Sequence, residues 1–399
     1  MSDLFTRPRY FKDVTFHRHT DRSVGWLELF YDLVYVATLI QIGNFLSDNL
    51  TLVGFGQFLV LMFLIWWAWA GETGYQTRYY VDDIWHRLLV FVQIMGIATV
   101  GLSVSEAFGD LSVQFALGYA LARSMMIVMY IRAYFSHPAS RSFSTVYIIA
   151  FGGEVAIWLG STLLPAEYRW IAWLVAIAFQ IIFFAVPTTL REAVEWGPDD
   201  HHMVERFGIF TIIVLGEAFV KILNDAQGTQ LAVEQVLFGV AGLTILYSLW
   251  WLYFSDTAGK LYDLSSEAKA LSWSYGHLFL ATSLVAFAVA MKKLFAANVA
   301  HPHDLVKDEY RLLLTVAIGT FLLAQALIDY GLDDELTPHS TIKRVYVYLG
   351  SIAVVVGIGS LVTGVTAMQF TTIIAVMMAA LVVFNVYQSL AIAAQQPEH

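Results

Sequence analysis

Residues 25–41 read GWLELFYDLVYVATLIQ. Nearly all of the stretch is apolar and suits a lipid bilayer. Glu28 and Asp32 nevertheless sit inside it, four residues apart, which on a helix places them one turn apart on a single face. An unpaired carboxylate in hydrocarbon is costly, so a membrane helix carrying two of them has either partners for them or a use for them.

The rest of the chain makes the bilayer reading general. Of its 399 residues 58% are hydrophobic and 14% charged, against about 25% charged in a soluble domain. Twelve apolar spans are expected, at roughly 24–46, 52–72, 84–106, 112–132, 142–164, 168–190, 203–224, 234–255, 268–291, 309–330, 341–363 and 367–393. These runs are far longer than the strands of about ten residues that a membrane barrel uses. The fold class expected is therefore all-α, a polytopic helical bundle whose main partner is the lipid bilayer. Connections are short and leave no room for a soluble domain. The net charge of −10 argues against a nucleic-acid partner. The absence of cysteine excludes disulfides, thiolate metal sites and cysteine nucleophiles. The first two dozen residues are polar, with neither an apolar core nor a small-residue cleavage site, so no secretory leader is expected there.

Lysine and arginine placement gives an orientation. Arg7, Arg9, Lys12, Arg18 and Arg22 precede the first span, and Arg78, Arg141, Arg191, Lys260, Lys269, Lys343 and Arg344 fall on the same side. Positive charge collects in the cytoplasm, which puts both termini there. The loop expected at 292–309 runs against this rule with Lys292, Lys293 and Lys307.

The chain also carries signs of a duplication. Trp66-Trp67-Ala68-Trp69-Ala70-Gly71-Glu72-Thr73-Gly74 ends the second span, and Trp250-Trp251-Leu252-Tyr253-Phe254-Ser255-Asp256-Thr257-Ala258-Gly259 ends the eighth. Glu28-Leu29-Phe30 opens the first span and Glu205-Arg206-Phe207 the seventh; the two offsets are 177 and 184 residues. An even number of spans per copy keeps the orientation, so a 6+6 parallel repeat is expected. It has residues 24–190 and 203–393 as its halves, a cytoplasmic linker at 191–202, and short tails at 1–23 and 394–399. Recurrence of tryptophan at membrane interfaces is the plainer alternative.

Several polar residues inside the spans are candidates for solute or ion binding: Glu28, Asp32, Glu154, Glu205, Arg206, Glu217 and His277. Each also has a structural reading. Glu28 can meet the helix dipole and interfacial water. Asp32, about 6 Å deeper, can pair with Arg87 or Arg123. Glu217, four residues before Lys221, can pair with it. Glu217 lies about 18 Å along the helix from Glu205 and is the hardest to explain as an interface residue. Glu205 shares a face with Gly208, Ile212 and Gly216, while Arg206, Phe210, Glu217 and Lys221 fall on another. Glu154 follows Gly152-Gly153, which either loosens its helix or bends it toward a partner. His277 serves as a proton relay, a haem ligand opposite His86, or a satisfied structural histidine.

Glu28-Leu29-Phe30-Tyr31-Asp32-Leu33-Val34-Tyr35 resembles the opening signature of the bacterial low temperature requirement A (LtrA) family, usually Glu-Leu-Phe-Phe-Asp-Leu-Val-Phe. His202 to Phe210, continuing through Ile212-Ile213-Val214-Leu215-Gly216-Glu217, resembles the family's second signature. Trp250-Trp251-Leu252-Tyr253-Phe254 and Tyr275-Gly276-His277 also fit. Tyr31 and Tyr35 replace the usual phenylalanines, and Asp256 stands two residues beyond Phe254, where the pattern has an acid directly after it. The resemblance spans nearly the whole chain and implies a bacterial cytoplasmic-membrane protein. It picks out Glu28, Asp32, Glu205, Arg206, Gly216 and Glu217 without assigning them a task.

Four classes of function fit. A secondary transporter coupled to protons or a cation would use Asp32 and Glu217 as its exchanging acids. A membrane enzyme or cofactor protein would need haem at the histidines or a Schiff base on Lys221; no metalloprotease, P-loop or dinucleotide motif supports it. A channel would need a ring of like side chains, hence a homo-oligomer. A structural or sensory protein would use the acids only to lock helices. The transporter reading leads, with a small solute and a proton or cation as partners, and with no catalytic residue, metal site or cofactor.

Overall fold

The computed structural model describes residues 14–16, 23–226, 233–257, 267–331 and 341–393. Arg7, Arg9, Lys12, Arg18, Arg22 and Lys260, and the tail at 394–399, lie outside them, as does the side chain of Asp256.

Among the described residues the chain forms thirteen helices: α1 (Trp26–Asp48), α2 (Leu52–Gln76), α3 (Ile84–Ser103), α4 (Ser112–Ser136), α5 (Arg141–Ser161), α6 (Ala166–Ala185), α7 (Pro187–Glu195), α8 (Asp200–Ala226), α9 (Val233–Thr257), α10 (Glu267–Ala300), α11 (Asp308–Tyr330), α12 (Thr341–Leu361) and α13 (Ala367–Ala393). Eleven are long and apolar enough to cross a membrane. The twelfth long helix, α8, has the length but carries Glu205, Arg206, Glu217 and Lys221. Large apolar side chains such as Phe91, Val175, Val240, Val354 and Val376 are exposed, as suits helices surrounded by lipid.

Local chemistry sets the helix ends. Asp83 caps α3, its carboxylate accepting the His86 N–H at 2.8 Å. Asp308 and Glu309 open α11 against its positive end. The sixth span, expected to reach residue 190, stops at Ala185. Val186 is extended (ψ 132°) ahead of Pro187, which starts the nine-residue α7, because proline keeps its predecessor out of helical geometry. α10 overshoots its expectation at the other end. Its 34 residues reach Ala300, about 51 Å at 1.5 Å per residue, so Lys292 and Lys293 lie on a helix rather than in a loop. Two two-residue strands add a feature outside the all-α expectation: β1 (Thr15–Phe16) pairs antiparallel with β2 (Tyr79–Tyr80).

The chain divides into two compact units. The first comprises residues 1–45 and 60–206, the second residues 46–59 and 207–399. In the first, α3 and α4 meet backbone to backbone. A Cβ on Gly96 would stand 2.7 Å from the Gly118 carbonyl oxygen, and one on Gly118 would stand 2.8 Å from that of Gly96. Small residues of this kind let membrane helices approach closely. In the second unit, α10 packs on α11 in the same manner, where a Cβ on Gly276 would press on Ile328.

Candidate functional site

Within the first unit, α1, α2 and the opening turns of α8 build a buried cluster of charge. Arg206 is fully buried, and its Nη2 donates to Asp32 Oδ1 at 2.6 Å. The same oxygen accepts the Trp69 indole N–H at 2.7 Å. Glu28 lies one turn before Asp32 on α1, with Oε2 accepting the Gly25 N–H at 2.8 Å and standing 3.8 Å from Arg206 Nη1. His202, one turn before Arg206, brings Nε2 to 3.4 Å from Glu28 Oε1. Both contacts join residues 174 apart in the chain, so α1 and the start of α8 run side by side in the same direction.

α2 adds a third carboxylate. Glu72 is fully buried; Gln76, one turn on, donates its amide to Oε1, and Oε2 stands 3.8 Å from Arg206 Nη2. Three acids thus surround one guanidinium. Glu72 Oε2, Asp32 Oδ2 and the Nε and Nη1 of Arg206 are all buried without a hydrogen-bond partner. Buried charges are tolerable when paired and hydrogen-bonded. Among the described residues carboxylates outnumber the arginine here, an arrangement that accommodates an added positive charge.

The partner expected for Asp32 is therefore corrected. Arg87 pairs with Asp82 at 2.8 Å, both about half exposed. Arg123 pairs with Glu154 at 2.8 Å, both buried. That second pair forms its own cluster between α4, α5 and α6: Gln180 donates to Glu154 Oε2 at 3.1 Å, and the Arg123 guanidinium lies 4.4 Å from the centre of the Phe151 ring. α5 runs unbroken through Gly152-Gly153, so the glycines free no carbonyls for an ion. A Cβ on Gly153 would strike the Phe179 ring, and close packing explains that position.

Of the remaining candidates, Glu205 is one-third exposed, with Oε2 4.0 Å from His202 Nδ1. Glu217 and Lys221 are part-buried in the second unit, about 16 Å or more along α8 from Arg206. His277, also in the second unit, is buried with both ring nitrogens engaged, Nδ1 to the Trp273 carbonyl at 2.8 Å and Nε2 to the Tyr253 hydroxyl at 3.0 Å. That arrangement leaves neither nitrogen for haem. Among the described residues no group of three or more histidine or acidic side chains is placed to hold a metal ion.

Glu72, Trp69 and His202 were not expected in a site. Glu72 and Trp69 belong to the tryptophan motif, which reads as a helix end when the second span is taken to stop at 72. α2 runs another turn, to Gln76, whose amide reaches Glu72, and Arg206 of α8 stands on the other side.

The family model described as bacterial low temperature requirement A protein (LtrA) matches residues 23–386. A protein of Rhizobium meliloti (strain 1021), named uncharacterized protein RA0937, is 26% identical over 363 residues, covering 84% of each chain.

Proposed function

On the premise that this chain belongs to the bacterial low temperature requirement A family, we propose that it is a secondary transporter that couples movement of a small solute to a proton or cation. The observation that carries the reading is the buried ring of Glu28, Asp32 and Glu72 around Arg206. Such a ring gains stability by taking up positive charge and loses it when that charge departs, which is what a coupling site needs. Intramembrane acids facing a bundle interior commonly mark ion pathways.

The site lies between helices that begin the two halves of the proposed parallel repeat, residues 24–190 and 203–393. The lysine and arginine distribution supports cytoplasmic termini, and the family supports the bacterial cytoplasmic membrane as the location. The test is electrometry on proteoliposomes adsorbed to a solid support. Amino acids, sugars, organic acids and inorganic cations are each applied as a concentration jump at two values of pH. A saturable, pH-dependent current in wild type that disappears in folded Asp32→Asn supports the reading. Currents equal to those of empty vesicles for every class overturn it.

A further inference from the structure

The three acids around Arg206 are not equivalent. Asp32 Oδ1 holds two strong donors, the guanidinium at 2.6 Å and the Trp69 indole at 2.7 Å. Glu28 has the Gly25 N–H, with His202 and Arg206 close by. Glu72 has only the neutral amide of Gln76 as a hydrogen-bond donor, and the guanidinium is 3.8 Å from its Oε2. That oxygen is buried and accepts no hydrogen bond. A buried carboxylate with so little compensation is the costliest charge in the cluster.

We propose that Glu72 is the proton-binding carboxyl of this membrane site and that Arg206 is the counter-ion that moves toward it when the proton leaves. With the proton on, Glu72 is a neutral acid and Arg206 serves Asp32. When the O–H bond of Glu72 breaks, the proton passes to water, its electron pair stays on the carboxylate, and Arg206 Nη2 is drawn from Asp32 toward Glu72 Oε2. Two features lower the cost of the move. Arg206 Nε and Nη1 have no hydrogen bonds to break. Asp32 keeps the Trp69 donor after Arg206 departs. The two acids sit on different helices, and Nη2 already reaches Thr73 Oγ1 of α2 at 3.5 Å, so the shift gives up a tie to α1, strengthens the one to α2 and can reposition one helix against the other.

Among the described residues the groups facing Glu72 are Glu28 and Asp32 from α1, with Tyr31 and Tyr35 beyond them, Arg206 from α8, and Gln76 and Tyr75 on its own helix. Arg123 of α4 presses on neighbouring Gly71 but is committed to Glu154. None of these supplies Glu72 with a close cation while Arg206 stays on Asp32.

The role in coupling rests on the transporter reading; the protonation does not, and is measured apart from flux. Purified protein in ester-free detergent is titrated and followed by infrared difference spectroscopy in the carboxylic-acid carbonyl region. Wild type is expected to show a titrating protonated-carboxyl band. Glu72→Gln should lose it, and Glu28→Gln should keep it. Should Glu72→Gln fail to fold, Glu72→Asp is expected to keep a band at a shifted frequency with an altered titration. A wild type without such a band, or a band untouched by both Glu72 substitutions, overturns the proposal. A band that behaves as expected in a protein that moves neither protons nor cations with any solute class leaves this inference standing and sinks the transporter reading.

Discussion

Arg206→Gln removes the arginine that, among the described residues, stands within reach of Glu28, Asp32 and Glu72, at 3.8, 2.6 and 3.8 Å respectively. The side chain is fully buried, so water does not replace it. Breaking one side of a buried ion pair costs about 3–5 kcal/mol. The unit that holds the site has slightly under 200 residues, a size at which each kcal/mol moves the melting temperature about 2–4 °C. The variant should melt roughly 6–20 °C below wild type in detergent, a range that follows from those two figures. Adding Asp32→Asn removes the largest consequence, a buried carboxylate stripped of its 2.6 Å partner. The double variant should therefore recover about 0.5–3 kcal/mol relative to the sum of the single changes. Differential scanning fluorimetry on the four proteins measures the whole cycle. Melting of Arg206→Gln within a degree of wild type, or strictly additive single changes, would refute the reasoning.

Arg123→Gln should cost a similar 3–5 kcal/mol or so, since Glu154 is buried and loses its 2.8 Å partner; a thermal melt checks it. Arg87→Ala, by contrast, should change stability by less than about 1 kcal/mol, because its bridge to Asp82 is half exposed; the same melt would contradict this if it dropped by many degrees. Gly118→Ala inserts a methyl 2.8 Å from the Gly96 carbonyl oxygen, where only backbone can give way, and should cost about 1–3 kcal/mol, measured against a Gly350→Ala control at a position with nothing within 4 Å. His277→Phe should leave the visible spectrum of the purified protein unchanged, since both imidazole nitrogens are engaged within the protein; a chromophore lost with this variant would contradict that assignment.

The helices were legible because an apolar run of about 20 residues has few uses other than spanning a bilayer. Their ends were less so. Pro187 was visible and its effect on Val186 follows from elementary sterics, yet the apolar run continues past it and hides the break. Lys292 and Lys293 read as loop residues because charge ordinarily ends a span. α10 instead carries them on a helix longer than the membrane needs. The site was half legible. Glu28, Asp32 and Arg206 stood out as charges in apolar surroundings, but which arginine serves Asp32 is a pairing across 174 residues, and periodicity along one helix carries no information about it. Glu72 belongs to the tryptophan motif but reads as a helix-end residue there, because its burial comes from packing against α1 and α8, which the motif itself does not show.

Proton flux into proteoliposomes holding a trapped pH-sensitive dye tests the central claim most directly. Wild type, Glu72→Gln and Asp32→Asn are compared with each solute class outside and an inward proton gradient, all well below the melting temperatures of the variants. Solute-dependent acidification of the lumen by wild type, abolished in both folded variants, is the predicted result. Acidification by the variants at the wild-type rate, or no solute-dependent acidification by any of the three, would contradict the account and leave the cluster as a brace between α1, α2 and α8.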